Sequence, residues 1–357
     1  MSPQASILIV SRALARLGLH PAGAAPFPRS LAPMLAEAAP HPFNDPDWVY
    51  EPKWDGFRVV AQIHNGAVRL LSRNLYSFTE TFRPVAEALR AFPTSLVLDG
   101  EMVVLNENGL PDFEALQQWL HPRKRMSGVL AYMVFDCLYV HGHPLLTRTL
   151  EDRQAVLRGL RPALAADAVR ITETLSGMDG RLAFRECARL GLEGVVAKRR
   201  ASLYRPGVRT PDWVKISVRH RDEFVVGGYL ARRPGHLGAL IVGQYDRSGR
   251  LRYAGVVGSG LSEETRRRIL RDLQAMPRKT CPFVPAPTLR DHFGEVRKPI
   301  EARSGTTVTD VSPRWVKPAV VVEVEYKQRT ANGLRHAALK GLRPDRAARD
   351  AVLPAGA

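Results

Sequence analysis

Cysteine is scarce in this chain. Three residues of 357, Cys137, Cys187 and Cys281, stand far apart, and no Cys-x-x-Cys occurs. That excludes a zinc ribbon and a disulfide framework and leaves reduced thiols, so a cytoplasmic protein is expected. Long apolar runs are missing too. Nothing approaches the roughly 20 residues of a membrane span, and no membrane partner is expected. The apolar run at 5–10 is followed by Arg12 and Arg16, the reverse of the charge order in a signal peptide. There is no G-x-x-x-x-G-K-[ST], and no G-x-G-x-x-G opens a helix. A bound nucleotide would therefore lie on neither a Walker loop nor a Rossmann turn. No H-E-x-x-H and no internal repeat is found. Acidic residues are the last shortage. Against 52 Lys and Arg stand 35 Asp and Glu, a net charge of +17. That excess points to a polyanionic partner, nucleic acid above all.

What is present reads as two domains, each long enough to bury its own core. Residues 1–28 are expected to be a poorly ordered extension outside the fold. Residues 29–217 alternate short apolar runs with helical patterns. Strands are expected at 58–63, 68–71, 95–105, 131–139, 194–198 and 213–216, and helices at 79–91, 113–120, 150–160 and 180–190. That mixture is an α+β domain. The charged run Arg219-His220-Arg221-Asp222 is read as a hinge. Over 218–350, glycine-punctuated strands at 224–230, 239–245, 251–257 and 320–326, with one helix at 263–275, describe a small β-barrel. In the last strand Val322, Val324 and Tyr326 fall on one face and Glu323 and Glu325 on the other. Residues 351–357 are expected to be a frayed tail.

The chemistry gathers on Glu51-Pro52-Lys53-Trp54-Asp55-Gly56-Phe57-Arg58. Glu51-x-Lys53-x-Asp55-Gly56-x-Arg58 resembles motif I of the covalent nucleotidyltransferases. Further segments resemble later motifs of that superfamily, in its order: Ser72-Arg73-Asn74, Asp99-Gly100-Glu101, Phe135-Asp136, Glu193-Gly194-Val195-Val196-Ala197-Lys198 and Trp213-Val214-Lys215. Near the end, Arg343-Pro344-Asp345-Arg346 resembles the motif of the C-terminal barrel. The resemblance covers about residues 33–350, and is narrowest to the compact bacterial ATP-dependent DNA ligases of end joining and repair. It implies an adenylation (nucleotidyltransferase) domain followed by an OB-fold domain that binds DNA.

The implied reaction seals a nick between a 3′-hydroxyl and a 5′-phosphate. A lysine takes AMP from ATP, passes it to the DNA 5′-phosphate, and AMP leaves when the 3′-hydroxyl attacks. A lysine amine attacks only when neutral, from an ordinary pKa of about 10.4. A divalent cation and neighbouring positive charges ease that deprotonation and neutralise phosphate charge. Mg2+ or Mn2+ takes oxygen ligands, so carboxylates should converge on the site. Asp99 and Glu101 share a strand face, a plausible carboxylate-bearing wall.

Residue by residue, the resemblance implies that Lys53 is the nucleophile, Glu101 and Glu193 serve the metal, and Glu101 also meets the ribose. Glu51 helps fix the adenine edge, Phe135 stacks on adenine, Arg58 holds the ribose and Arg73 a phosphate. Lys198 and Lys215 belong to the nucleotide site, and Arg153 approaches the phosphates. Asp55, Trp213, Arg343, Asp345 and Arg346 complete the motifs. Two positions depart from the family pattern. Ser217 stands where a second phosphate-gripping lysine is usual, with Arg219 or Lys198 as candidate substitutes. Arg346 stands where lysine is common. The expected partners are nicked or broken double-stranded DNA and an end-binding repair protein, with the enzyme itself a monomer. The alternative reading is an RNA ligase, an mRNA-capping-type enzyme, or a catalytically weakened nucleic-acid-binding relative.

Overall fold

The computed structural model describes residues 3–19, 25–120, 128–164, 166–233, 235–289, 312–330 and 333–354. The chain divides into two compact units, Met1–Val218 and Arg219–Ala357. Among the described residues no helix is long and apolar enough to cross a membrane.

The first unit is built on two sheets. The larger is a mostly antiparallel path through Ala67–Ser72, Phe57–His64, Leu96–Leu105, Val129–Val140 and His143–Pro144, with Val169–Ile171 added in parallel to Val129–Val140. The smaller runs through Leu35–Ala38, Arg209–Ser217, Gly194–Arg199 and Trp48–Pro52. Every strand expected from the sequence in this unit is present. The pairs Leu35–Ala38 and Trp48–Pro52 were not expected, and the second carries Glu51. Helices cap cleanly: the Thr149 hydroxyl accepts from the Asp152 amide at 3.2 Å, and the Asp179 carboxylate from the Leu182 amide at 2.8 Å.

Most of this unit's apolar core lies in three layers. One lies between the larger sheet and its helices, including Val59, Leu98, Tyr132 and Leu157. A second, with Met34, Val49, Val60, Val97, Leu138 and Trp213, draws residues from both sheets. The third packs helix Gly180–Arg189 on the smaller sheet through Ala183 and Cys187.

The N-terminal stretch corrects the expectation of a disordered extension. Residues Pro3–Ala15 form a helix. Its Val10, Ala13 and Leu14 are buried in the main core, one face at i, i+3 and i+4. A Cβ at Gly159 would come within 2.8 Å of the Ala13 Cβ, so the missing side chain is what lets helix Leu150–Leu160 approach.

The second unit is an antiparallel sheet in the order Leu251–Val257, His236–Tyr245, His220–Arg233, Val321–Tyr326, Ala338–Leu342. Helix Glu263–Gln274 buries Ile269, Leu270 and Leu273 in its core. Val322, Val324 and Tyr326 are buried as the alternation requires, while Glu323 and Glu325 face Arg221. The division between the units falls at Val218/Arg219, the start of the run read as a hinge, while His220, Arg221 and Asp222 already pair with Tyr326, Glu325 and Val324 in the second unit's sheet. The start of the tail is not frayed. Ala351 is buried, and its carbonyl accepts from the Tyr245 amide at 2.8 Å.

Candidate active site

Lys53 sits on the short link between strand Trp48–Pro52 of the smaller sheet and strand Phe57–His64 of the larger. Its amide donates to the Gly194 carbonyl at 2.9 Å, so the link is anchored at once. Two glycines make this junction possible. A Cβ at Gly56 would lie 2.1 Å from the Met102 carbonyl oxygen, and one at Gly194 (φ +137°) 2.1 Å from that of Ile216.

The link opens onto a cavity of about 260 Å³. Glu51, Lys53, Trp54, Arg58, Arg73, Glu101, Phe135, Lys198, Trp213 and Lys215 are among its lining residues. The larger sheet contributes Arg58, Glu101 and Phe135; the smaller contributes Glu51, Lys198, Trp213 and Lys215. The Lys53 ammonium forms an ion pair with Glu193, which lies in the turn before strand Gly194–Arg199. The Ser217 hydroxyl also points to Glu193, donating at 3.5 Å. The side chain at 217 therefore lies beside the acid that pairs with Lys53.

Behind the cavity the charges are tightly paired. Arg58 donates twice to Asp99, at 2.6 Å each, and once to the Met34 carbonyl at 3.2 Å. Burial works against the guanidinium charge, but Asp99 outweighs it and raises the pKa. Tyr204 donates to the same carboxylate at 2.6 Å. Asp99 and Glu101 do share a strand face, yet only Glu101 lines the cavity; Asp99 is fully buried under it. Glu51 is similarly committed. One carboxylate oxygen accepts from Lys198 at 2.7 Å and the other from Gln154 at 2.7 Å. Burial pushes the Glu51 pKa up against the pull of Lys198. The Lys198 ammonium lies 4.2 Å from the Phe135 ring centre and 4.3 Å from that of Trp213, a cation held between two aromatic faces. Lys198 thus lines the cavity as a buried cation already paired with Glu51.

At the open side, cations crowd together. Burial lowers the Lys215 pKa, and the nearby charges of Lys53, Arg209 and Arg73 lower it further. Arg209 lines the cavity although no motif pointed to it; its side chain donates to the Ala36 carbonyl. Glu101 has its pKa raised to about 7. Burial is the main cause, Arg58 and Lys53 oppose it, and the Glu193 carboxylate adds to it.

One sequence expectation needs relocation, and the remaining motif residues lie outside the cavity. Arg153 does not reach the cavity. It is fully buried and holds Asp136 through two hydrogen bonds of 2.8 and 2.9 Å. It also donates to the Arg148 and Ser202 carbonyls at 2.8 and 3.0 Å. Asp55 does not line the cavity. Arg343, Asp345 and Arg346 belong to the second unit, where Arg343 grips Asp345 at 2.7 and 2.9 Å and both arginines reach Glu223.

Among the described residues no group of three or more His, Cys, Asp or Glu forms a ready metal site. The fit to a divalent cation rests instead on two carboxylates, Glu101 and Glu193. Burial and mutual repulsion leave Glu101 reluctant to ionise, which a hard cation with oxygen ligands would relieve. Substrate phosphates and water would complete such a shell.

Comparison with known proteins places this geometry. Residues 33–217 match the family described as "ATP dependent DNA ligase domain" and residues 233–346 the "ATP dependent DNA ligase C terminal region". The chain is 37% identical over 344 residues to the multifunctional non-homologous end joining protein LigD of Pseudomonas aeruginosa, covering 94% of this chain but 38% of that one. It thus spans well under half the length of that relative. With DNA ligase C of Mycobacterium tuberculosis it shares 33% identity over 333 residues, 88% of this chain and 90% of the other. Among solved structures, "mycobacterial DNA ligase D complexed with ATP and MES" is 34% identical with a TM-score of 0.50, covering 90% of this chain and 98% of that one. The fold is accordingly the ligase nucleotidyltransferase domain followed by an OB-fold domain. With two ordered domain matches and a lysine-centred cavity between two sheets, the chain belongs to the ATP-dependent DNA ligase family.

Proposed function

We propose that this protein seals nicks in double-stranded DNA with ATP, through a lysyl-AMP intermediate. The observation that carries this reading is Lys53 held by Glu193 on a cavity where Arg58, Arg73, Arg209 and Lys215 converge. A neutral Lys53 amine attacks the α-phosphorus of ATP. A P–N bond forms, the bond to the bridging oxygen breaks, pyrophosphate leaves and the amine proton passes to water. A DNA 5′-phosphate oxygen then takes the AMP from Lys53, and the 3′-hydroxyl displaces AMP to close the backbone.

In this scheme Glu193 positions the amine. Arg73, Arg209 and Lys215, gathered at the open side of the cavity, supply positive charge for the phosphates. Phe135, already one wall, offers its ring to adenine. Arg58, fixed by Asp99, offers its remaining donor capacity to the ribose. Glu51, locked by Lys198 and Gln154, acts on the base edge by shaping the cavity. Glu101 and Glu193 would hold Mg2+ or Mn2+, which would neutralise phosphate charge.

The end-joining names of the relatives support a role in mending broken double-stranded DNA; an end-binding repair protein that delivers the ends is part of the proposal. The test is incubation with α-labelled ATP and a nicked duplex carrying either DNA or RNA on the 3′ side. An acid-labile labelled protein that discharges into sealed DNA is expected. Transfer of label to RNA ends without DNA sealing would overturn the proposal.

A further inference from the structure

Tyr76 is the most exposed large apolar side chain among the described residues, at 71%, and the only aromatic in that class. It does not sit on a loose loop. The Ser72 hydroxyl accepts from the Tyr76 amide at 3.0 Å, the Tyr76 carbonyl accepts from the Ser72 amide at 2.8 Å, and Leu71 bridges Ser77. Between them Leu75 adopts φ 64°, left-handed backbone that disfavours a branched side chain. Leu75 is itself 40% exposed. A tight, strained turn thus presents two apolar side chains to water, which stability alone does not favour. The same turn carries Arg73, whose side chain lines the Lys53 cavity. A phosphate-seeking cation and an exposed aromatic ring on one rigid turn are the pairing that grips a nucleic-acid strand: charge for the backbone, a π-face for base or sugar.

We infer that the turn 72–77 is a DNA-contacting element and that Tyr76 packs against the nucleotide beside the 5′-phosphate that accepts AMP. This deepens the proposed nick-sealing function and rests on it. The contact belongs to the transfer and sealing steps only. ATP alone has no use for it, because Tyr76 does not line the cavity. Tyr76 is therefore a positioning residue for the DNA.

The full chain with Tyr76→Ala and Tyr76→Phe separates the possibilities. Self-adenylation with labelled ATP in the absence of DNA should proceed in both variants as in the unaltered protein. For nicked duplex, Tyr76→Ala should raise KM about tenfold, the loss expected when one aromatic contact to a base is removed, while Tyr76→Phe stays close to the original value. Equal KM for Tyr76→Ala and the unaltered protein would overturn the inference. So would an equal loss in Tyr76→Phe, or a loss of self-adenylation in Tyr76→Ala. Failure of the unaltered protein to form any adduct would instead strike at the nick-sealing function itself.

Discussion

Arg153 separates two readings that share a residue. If it touched phosphates, removing it would slow adenylation in a protein of unchanged stability. The structure requires the opposite. Arg153→Met leaves Asp136, 0% exposed, without its cation, and strips the Arg148 and Ser202 carbonyls of a donor. Removing one partner of a buried ion pair costs about 3–5 kcal/mol, against a total stability of about 5–15 kcal/mol. For a unit of this size that corresponds to a fall in melting temperature of about 6–20 °C. Thermal unfolding followed by near-ultraviolet circular dichroism would read it directly. Adenylation measured well below the lowered transition should stay within a few-fold of the unaltered protein. Adding Asp136→Leu should recover most of the loss, because no buried charge then remains. An Arg153→Met protein that melts normally and fails to adenylate would refute this account.

Lys53→Ala should fold normally and form no covalent adduct with α-labelled ATP. Lys53→Arg should fail in the same assay, since a guanidinium stays protonated. Ser217→Lys adds a cation beside Glu193 and should speed self-adenylation in single-turnover kinetics; an unchanged or slower rate would count against the phosphate-grip argument. Gly56→Ala must displace the Met102 carbonyl that its Cβ would meet at 2.1 Å. It should lower unfolding stability by at least about 2 kcal/mol in urea titrations and depress adenylation as well, because Glu101 is the neighbouring residue.

Strands such as Leu96–Leu105 and Val321–Tyr326 were legible because apolar runs and strict alternation are local signals. Trp48–Pro52 was not, as it is short, ends in proline and owes its place to pairing with Gly194–Arg199, far along the chain. Arg209 was hidden for the same reason. It heads the strand that carries the Trp213-Val214-Lys215 motif but lies four residues before it, and its pairing with Leu35 is announced by no local pattern. Arg153 carried a local clue that the motif reading passed over. Leu150, Arg153, Gln154 and Leu157 form one buried stripe of helix Leu150–Leu160, so a cation there had to find an internal partner. The Pro3–Ala15 helix gave a similar clue in Val10, Ala13 and Leu14, masked by the Pro/Gly/Ala stretch that follows it.

The position of Lys53, the proposed nucleophile, on the link between the two sheets has a mechanical consequence. A reactive group at the tip of a long loop can drift by ångströms while the scaffold stays intact. Lys53 has no such slack: its backbone is stitched to one sheet through Gly194, and five residues later the chain is pairing within the other. The aim of the amine is therefore set by how the sheets seat on each other. Conservative resizing at Val49, Val60 or Val97, none of which lines the cavity, should detune catalysis as a shim detunes a hinge.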